Sequence, residues 1–216
     1  MASFFLYGAL AGMFFLLPIQ LQITAGYTPL AAGLALLPLT VLTLALSERA
    51  GALTTRVGPR APLAVGSLTC AVALLLAARV GPRASYLADV LPVVALTGIG
   101  VPLITPPITA TVLSAASDTH SGIASAVNNG VARAAGLVVV AALPLLTGLP
   151  QDAARNPVAF DRGFGVGMLI CAGLYLLGGL VVWFGVPPMA TAPAEPVCRH
   201  HLAVNCPQLE PTRSAS

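Results

Sequence analysis

The 216-residue sequence contains no lysine, and only 8% of its residues are charged. Water-soluble domains carry charge on about a quarter of their residues, because charge keeps a folded surface hydrated. A soluble globular fold is therefore excluded. The ten basic residues are all arginine and lie mostly in gaps between apolar runs. With aromatics at 6%, no aromatic and basic groove is available for DNA or RNA, and no nucleic-acid partner is expected. Four cysteines are present, but none has metal-ligand spacing on an ordered frame. Cys70 and Cys171 sit within apolar runs as small packing residues. Cys198 and Cys206 lie with His200 and His201 in an irregular, proline-rich stretch. No metal or other cofactor is expected. A cleavable signal peptide is also not expected, since Met1-Ala2-Ser3 brings no basic region and the following apolar run is a full span.

What the sequence has is apolar length. Hydrophobic residues make up 57% of it and mean hydropathy is +0.91. About 20 apolar residues cross the hydrocarbon core of a bilayer as a helix. Six segments qualify, at 3–21, 29–46, 62–78, 86–114, 122–147 and 163–186. The fold class predicted is all-α, a polytopic membrane protein of six transmembrane helices over residues 1–186. The second span is expected to stop at Ser47-Glu48-Arg49, and a polar connector is expected from Gly148 to Arg162, holding Asp152, Arg155 and Asp161. Pro102, Pro106 and Pro107 in the fourth span, with Pro92 before them, predict a kinked or locally unwound helix. Such backbone survives in a membrane where neighbouring helices or a water-filled cavity satisfy the freed groups. Residues 187–216, rich in Pro, Ala and Ser, are read as a disordered polar tail.

Arginine placement leaves orientation open: Arg49, Arg56 and Arg60 precede the third span, against Arg79 and Arg83, then Arg155 and Arg162, in alternate loops. The stretch Gly51-Ala-Leu53-Thr-Thr55-Arg56-Val-Gly58-Pro59-Arg60 resembles the cytoplasmic signature G-x-L-x-D-R-x-G-R-R of the major facilitator superfamily, and it occupies the matching place between second and third spans. Thr55 replaces the acidic residue and Pro59 a basic one. Degenerate copies of this kind are usual in the family's C-terminal half. A second stretch is similar to the C-terminal half of fourteen-helix multidrug/proton antiporters. It runs Pro107-Ile-Thr109, then Gly122-Ile-Ala124-Ser125-Ala-Val-Asn128-Asn129, then Arg133 and Gly136. Gly26-Tyr27-Thr28-Pro29 and Ala32-Gly33-Leu34 resemble the entry to the second span of that half.

The resemblance implies half of a major-facilitator-type fold, with loop 47–61 and the C-terminal tail cytoplasmic in the cell membrane. It implies proton-coupled export of small hydrophobic or cationic compounds through two halves rocking about a shared site. No Asp or Glu lies centrally in any span, so the chain is expected to need a complementary N-terminal half of six to eight helices, or a second copy. A truncated, non-transporting membrane protein is the alternative. Ser125, Asn129, Arg133 and Gly136 fall at i, i+4, i+8 and i+11, one helix face, and with Asn128 they are the substrate or helix-interface candidates. Arg133 faces either a cavity or partner, or snorkels to headgroups from the edge of the span. Gly98 and Gly100, like Gly163, Gly165 and Gly167, predict close helix packing rather than a nucleotide loop. Asp89 is a carboxylate near a span end, either titrating or simply solvated. Asp118 and His120 read as a helix-start cap. Ser125 has no histidine base in reach, so catalysis is not expected.

Overall fold

Each of the six apolar runs forms a helix long enough to cross a bilayer. The computed structural model describes residues 1–114, 121–149 and 156–185, and among them there is no strand. Helix α1 is Ala2–Ile23, α2 Pro29–Ala35, α3 Leu37–Val57 and α4 Arg60–Ala77. A π-helical turn at Tyr86–Val90 leads into α5, Leu91–Ser114, followed by α6, Ser121–Thr147, and α7, Pro157–Gly185. Helices α2 and α3 form one span interrupted at Leu36. The chain is thus an all-α, multi-pass membrane protein. The 187–216 tail with its Cys and His residues, Asp118 and His120, and Asp152 and Arg155 lie outside the described residues.

Two boundaries differ from the sequence expectation. Helix α3 does not stop at Ser47-Glu48-Arg49 but runs on to Val57, so the expected loop 47–61 contracts to a turn at Gly58-Pro59. Polar residues mark where a helix leaves lipid, not where it must end. Ser47 bonds back to the Thr43 carbonyl at 2.6 Å and Thr54 to that of Ala50 at 2.8 Å, absorbing their hydroxyls within the helix. Termination comes only at Gly58, whose φ of +82° a side chain disfavours, with Pro59 next. Helix α7 likewise starts at Pro157, inside the expected Gly148–Arg162 connector. The Asn156 side chain accepts the Ala159 N–H at 3.1 Å, and Pro157 sits at the first helical position, where its missing N–H costs nothing.

Helix α7 packs on α1 and α4, α4 also on α5, α5 on α3, and α1 on α6. The buried centre combines Leu6, Met13 and Leu17 of α1, Cys70 and Leu74 of α4, and Phe164, Met168, Cys171 and Tyr175 of α7. Lipid is as apolar as leucine, so apolar burial alone does not drive these helices together; close packing does. Small residues set the spacing. A Cβ on Gly66 would lie 2.8 Å from the Gly100 carbonyl oxygen. Gly178 and Gly179 point two ways, one against Leu6 of α1 and the other against Ser67 of α4. The predicted packing role of Gly98, Gly100, Gly163 and Gly167 holds, each meeting a neighbouring element. Cys70 and Cys171 are buried free thiols, as expected of packing residues.

Helix α5 stays helical through Pro102, Pro106 and Pro107, so of the kinked or unwound backbone expected there the unwinding is not seen; a π-helical turn at Tyr86–Val90 precedes it. Pro102 removes the N–H that the Gly98 carbonyl would accept, four residues back. Thr43 of α3 donates its hydroxyl to that carbonyl across a long 3.5 Å contact, which close approach at Gly98 permits. Thr43→Val is expected to cost only about 0.6 kcal/mol, the usual size of such bonds in membranes. A thermal midpoint in detergent more than ~3 °C below the native one would show this bond to matter more than its length suggests.

Candidate transport site

The N-terminal end of α1, the C-terminal end of α5 and the start of α6 meet on one side of the bundle, and polar side chains gather there. Ser3 of α1 donates its hydroxyl to the Asn128 side-chain oxygen of α6 at 3.0 Å, both residues being buried. One turn along α1, the Tyr7 hydroxyl comes near the Thr109 side chain of α5. Thr109 and Thr105 return their own hydroxyls to α5 carbonyls at 3.0 Å, keeping both side chains in place beside it.

The predicted α6 residues divide. The buried stripe of the helix is Asn128, Ala135, Val139 and Leu143, which faces α1. Asn129 lies roughly 100° and Arg133 roughly 140° around a 3.6-residue helix from Asn128, and both are exposed. Ser125 is half-buried on the same flank. Gly136 returns to the α1 contact, where an added Cβ would meet that of Ala11 at 3.2 Å. Asn128 and Gly136 are therefore helix-interface residues, and Asn129 and Arg133 are left uncovered. Among the described residues no ion pair reaches Arg133. Sequence reasoning passed over Tyr7 and Thr105, read Ser3 only as a span start and Thr109 only within the resembling stretch, because single hydroxyls inside apolar runs look like filler. Their signal was the pair of i, i+4 spacings, 3 to 7 and 105 to 109, that puts each pair on one face.

At the far end of the bundle Gln20 of α1 is fully buried. Its side-chain N–H groups donate to the Val80 carbonyl at 2.9 Å and to Asp161 of α7 at 2.6 Å. Asp161, expected in a polar connector, thus lies within α7, and Gln20 ties three elements together. Asp89 accepts the Ser85 backbone N–H at 2.7 Å and tethers the start of its own helical turn.

In the signature stretch, Gly58 makes the turn and Arg60 opens α4. Gly51, half-buried, has nothing within 4 Å of an added Cβ, so it provides no close approach within this chain. Leu53 and Arg56 are exposed on the last turns of α3. Among the described residues Arg60 pairs with no carboxylate; its guanidinium lies over the Trp183 ring of α7, 4.3 Å from the centroid. Pro102 lines a shallow groove between α3 and α5 with Arg49 and Leu53. Among the described residues no group of three His, Cys, Asp or Glu side chains forms a metal site. What the polar end offers is a set of hydroxyl and amide groups fixed by packing, suited to binding rather than to bond making.

The sequence is similar to those of known proteins. Residues 1–141 match the family model described as Major Facilitator Superfamily. The methylenomycin A resistance protein of Streptomyces coelicolor is 30% identical over 180 residues, 81% of this chain and 35% of that protein. The multidrug resistance protein Stp of Mycobacterium tuberculosis is 34% identical over 119 residues, 55% of this chain and 22% of that protein. The chain spans about a third of the length of the first relative and about a fifth of the second. With six apolar helices and a family match over most of its length, the chain belongs to the major facilitator superfamily, a family of membrane transporters.

Proposed function

We propose that this six-helix unit forms one wall of a multidrug-type exporter, equivalent to the C-terminal half of a fourteen-helix proton antiporter. It works against a second helical unit that packs on the flank of α6 and on α3. The relatives named for methylenomycin and multidrug resistance support small, apolar or cationic substrates. Alternating access at the interface of the two units would carry them across the cell membrane. In this reading the Gly58-Pro59 turn and the C-terminal tail are cytoplasmic.

The observation that carries the proposal is the uncovered position of Asn129 and Arg133. Counted back from Thr147, a hydrocarbon core of about 30 Å takes up roughly 20 helical residues and begins near Asn128. Arg133 then lies roughly 8 Å inside it, where a charge on an isolated helix costs about 2.5–3.5 kcal/mol. A polar cavity or a partner's side chain removes that cost. Among the described residues the carboxylates of Glu48, Asp89 and Asp161 all lie outside the apolar centres of their spans. Proton coupling is therefore assigned to the second unit.

The test is ethidium flux in liposomes under a proton gradient. The chain alone, as a monomer, is expected to move no dye, and co-reconstitution with a six- to eight-helix N-terminal unit restores flux. In that assembly Arg133→Ala is expected to reduce flux at least tenfold, and Leu137→Ala, one turn along on the same exposed side, is not. Gradient-dependent flux by the monomer overturns the half-transporter reading. Flux by a crosslinkable homodimer replaces the second unit with a second copy. Unchanged flux in Arg133→Ala removes the arginine from the site and returns it to headgroup snorkelling.

A further inference from the structure

We propose that the groove between α4 and α7 holds one acyl chain of an anionic phospholipid, with the lipid phosphate on the guanidinium of Arg60. The proposal rests on the chain spanning a bilayer and not on the transport reading. Helices α4 and α7 run antiparallel. Arg60, Ala64, Ser67 and Leu68 form one face of the first, opposite Trp183, Leu180, Gly179 and Leu176 on the second. An added Cβ at Gly179 would meet that of Ser67 at 3.0 Å, so these two small residues form the floor. Leu68, Leu176 and Leu180 stand exposed along the sides, at 57%, 43% and 52%. The groove opens sideways, toward lipid, on faces of α4 and α7 rather than on α3 or α6.

Its size selects the occupant. A volume of about 190 Å³ falls below the ~300–1,000 Å³ of drug-sized binding pockets. From Arg60 to Leu68 is eight residues, about 12 Å of helix, close to the ~15 Å depth of one hydrocarbon leaflet. A single fatty chain matches that length.

The mouth selects the headgroup. Trp183 belongs at the boundary between hydrocarbon and headgroups, and it supports the Arg60 guanidinium on its ring face. Arg60 Nε is buried without a hydrogen-bond partner, and no carboxylate among the described residues pairs with the guanidinium. A phosphate ester complements the unpaired guanidinium in charge and can accept from its terminal N–H groups.

Trp183 is the single tryptophan of the chain and reports on the site directly. The full chain is reconstituted in phosphatidylcholine vesicles containing brominated phosphatidylglycerol or, at equal mole fraction, brominated phosphatidylcholine. Quenching of Trp183 is expected to show a roughly fivefold preference for phosphatidylglycerol, the size expected of one arginine at a membrane surface. Arg60→Gln abolishes the preference while quenching by phosphatidylcholine persists, and Arg56→Gln retains it. Equal quenching of the native chain by the two lipids overturns the proposal without any variant being needed. So does a preference that survives Arg60→Gln, or one lost equally in Arg56→Gln, which would assign it to diffuse surface charge.

Discussion

Gly100→Val is expected to lower the thermal midpoint of the detergent-solubilised chain by at least ~5 °C, from overpacking of about 2 kcal/mol or more. The reason lies in what a side chain would strike. An added Cβ at Gly100 meets the Gly66 carbonyl oxygen at 3.0 Å and the Cys70 backbone nitrogen at 3.2 Å. Neither is the end of a flexible side chain, so α4 itself must move away. Reciprocally, Gly66 is closed by the Gly100 carbonyl, so the two helices touch backbone to backbone and nothing smaller is available to relieve them. Moving α4 also loosens its contact with α7 through Ser67 and Gly179. Gly173→Ala supplies the contrast, because no atom lies within 4 Å of its added Cβ. That change is expected to be neutral or to stabilise, as alanine favours helix by up to ~1 kcal/mol over glycine. Equal midpoints for Gly100→Val and the native chain would show that α4 and α5 are not held by this contact.

The second large effect is expected at Gln20. Gln20→Leu keeps most of the volume but deletes both donated bonds, leaving the Val80 carbonyl and the half-buried Asp161 carboxylate without that donor. Stranding buried acceptors costs about 1–3 kcal/mol, and more when one is charged. The amide oxygen of Gln20 already lacks a partner, so the loss comes from the amide nitrogen alone. Asp161→Leu is expected to destabilise less, since the Val80 bond survives. Combining the two is expected to cost at least ~1 kcal/mol less than the sum of the single changes, the signature of directly coupled groups. Strict additivity in unfolding of the reconstituted chain would separate Gln20 from Asp161 and leave each with independent neighbours.

Hydropathy located all six spans, because lipid demands about 20 apolar residues whatever the packing. It misjudged ends where polarity and helicity part company. Ser47, Glu48 and Arg49 leave the oil while the helix continues, and Pro157 begins a helix among polar residues. Glycine roles were legible in kind but not in partner. Nothing in the order of residues says that Gly66 meets Gly100, since the two are brought together by how α4 and α5 cross. The polar end was half legible. The face read on α6 held Ser125, Asn129, Arg133 and Gly136, whereas the buried stripe runs through Asn128, bonded to Ser3, and leaves Asn129 and Arg133 exposed roughly 100° and 140° around the helix. Rotation about a helix axis is set by its neighbours, and single-residue precision requires knowing them. Gln20 looked like a span terminus; its burial follows from lying at i+3 and i+4 from Leu17 and Leu16 on the packed face of α1.

Among the described residues no ion pair links one helix to another, and the contacts between α4, α5 and α7 are fitted by glycine, serine and cysteine. Electrolyte therefore has little to screen inside the bundle, and ionic strength acts only on the arginines at its rims. Shape is what the membrane must respect. Cohesion of the six rods will follow bilayer thickness and the lateral pressure of the surrounding chains far more closely than the saltiness of either bathing solution.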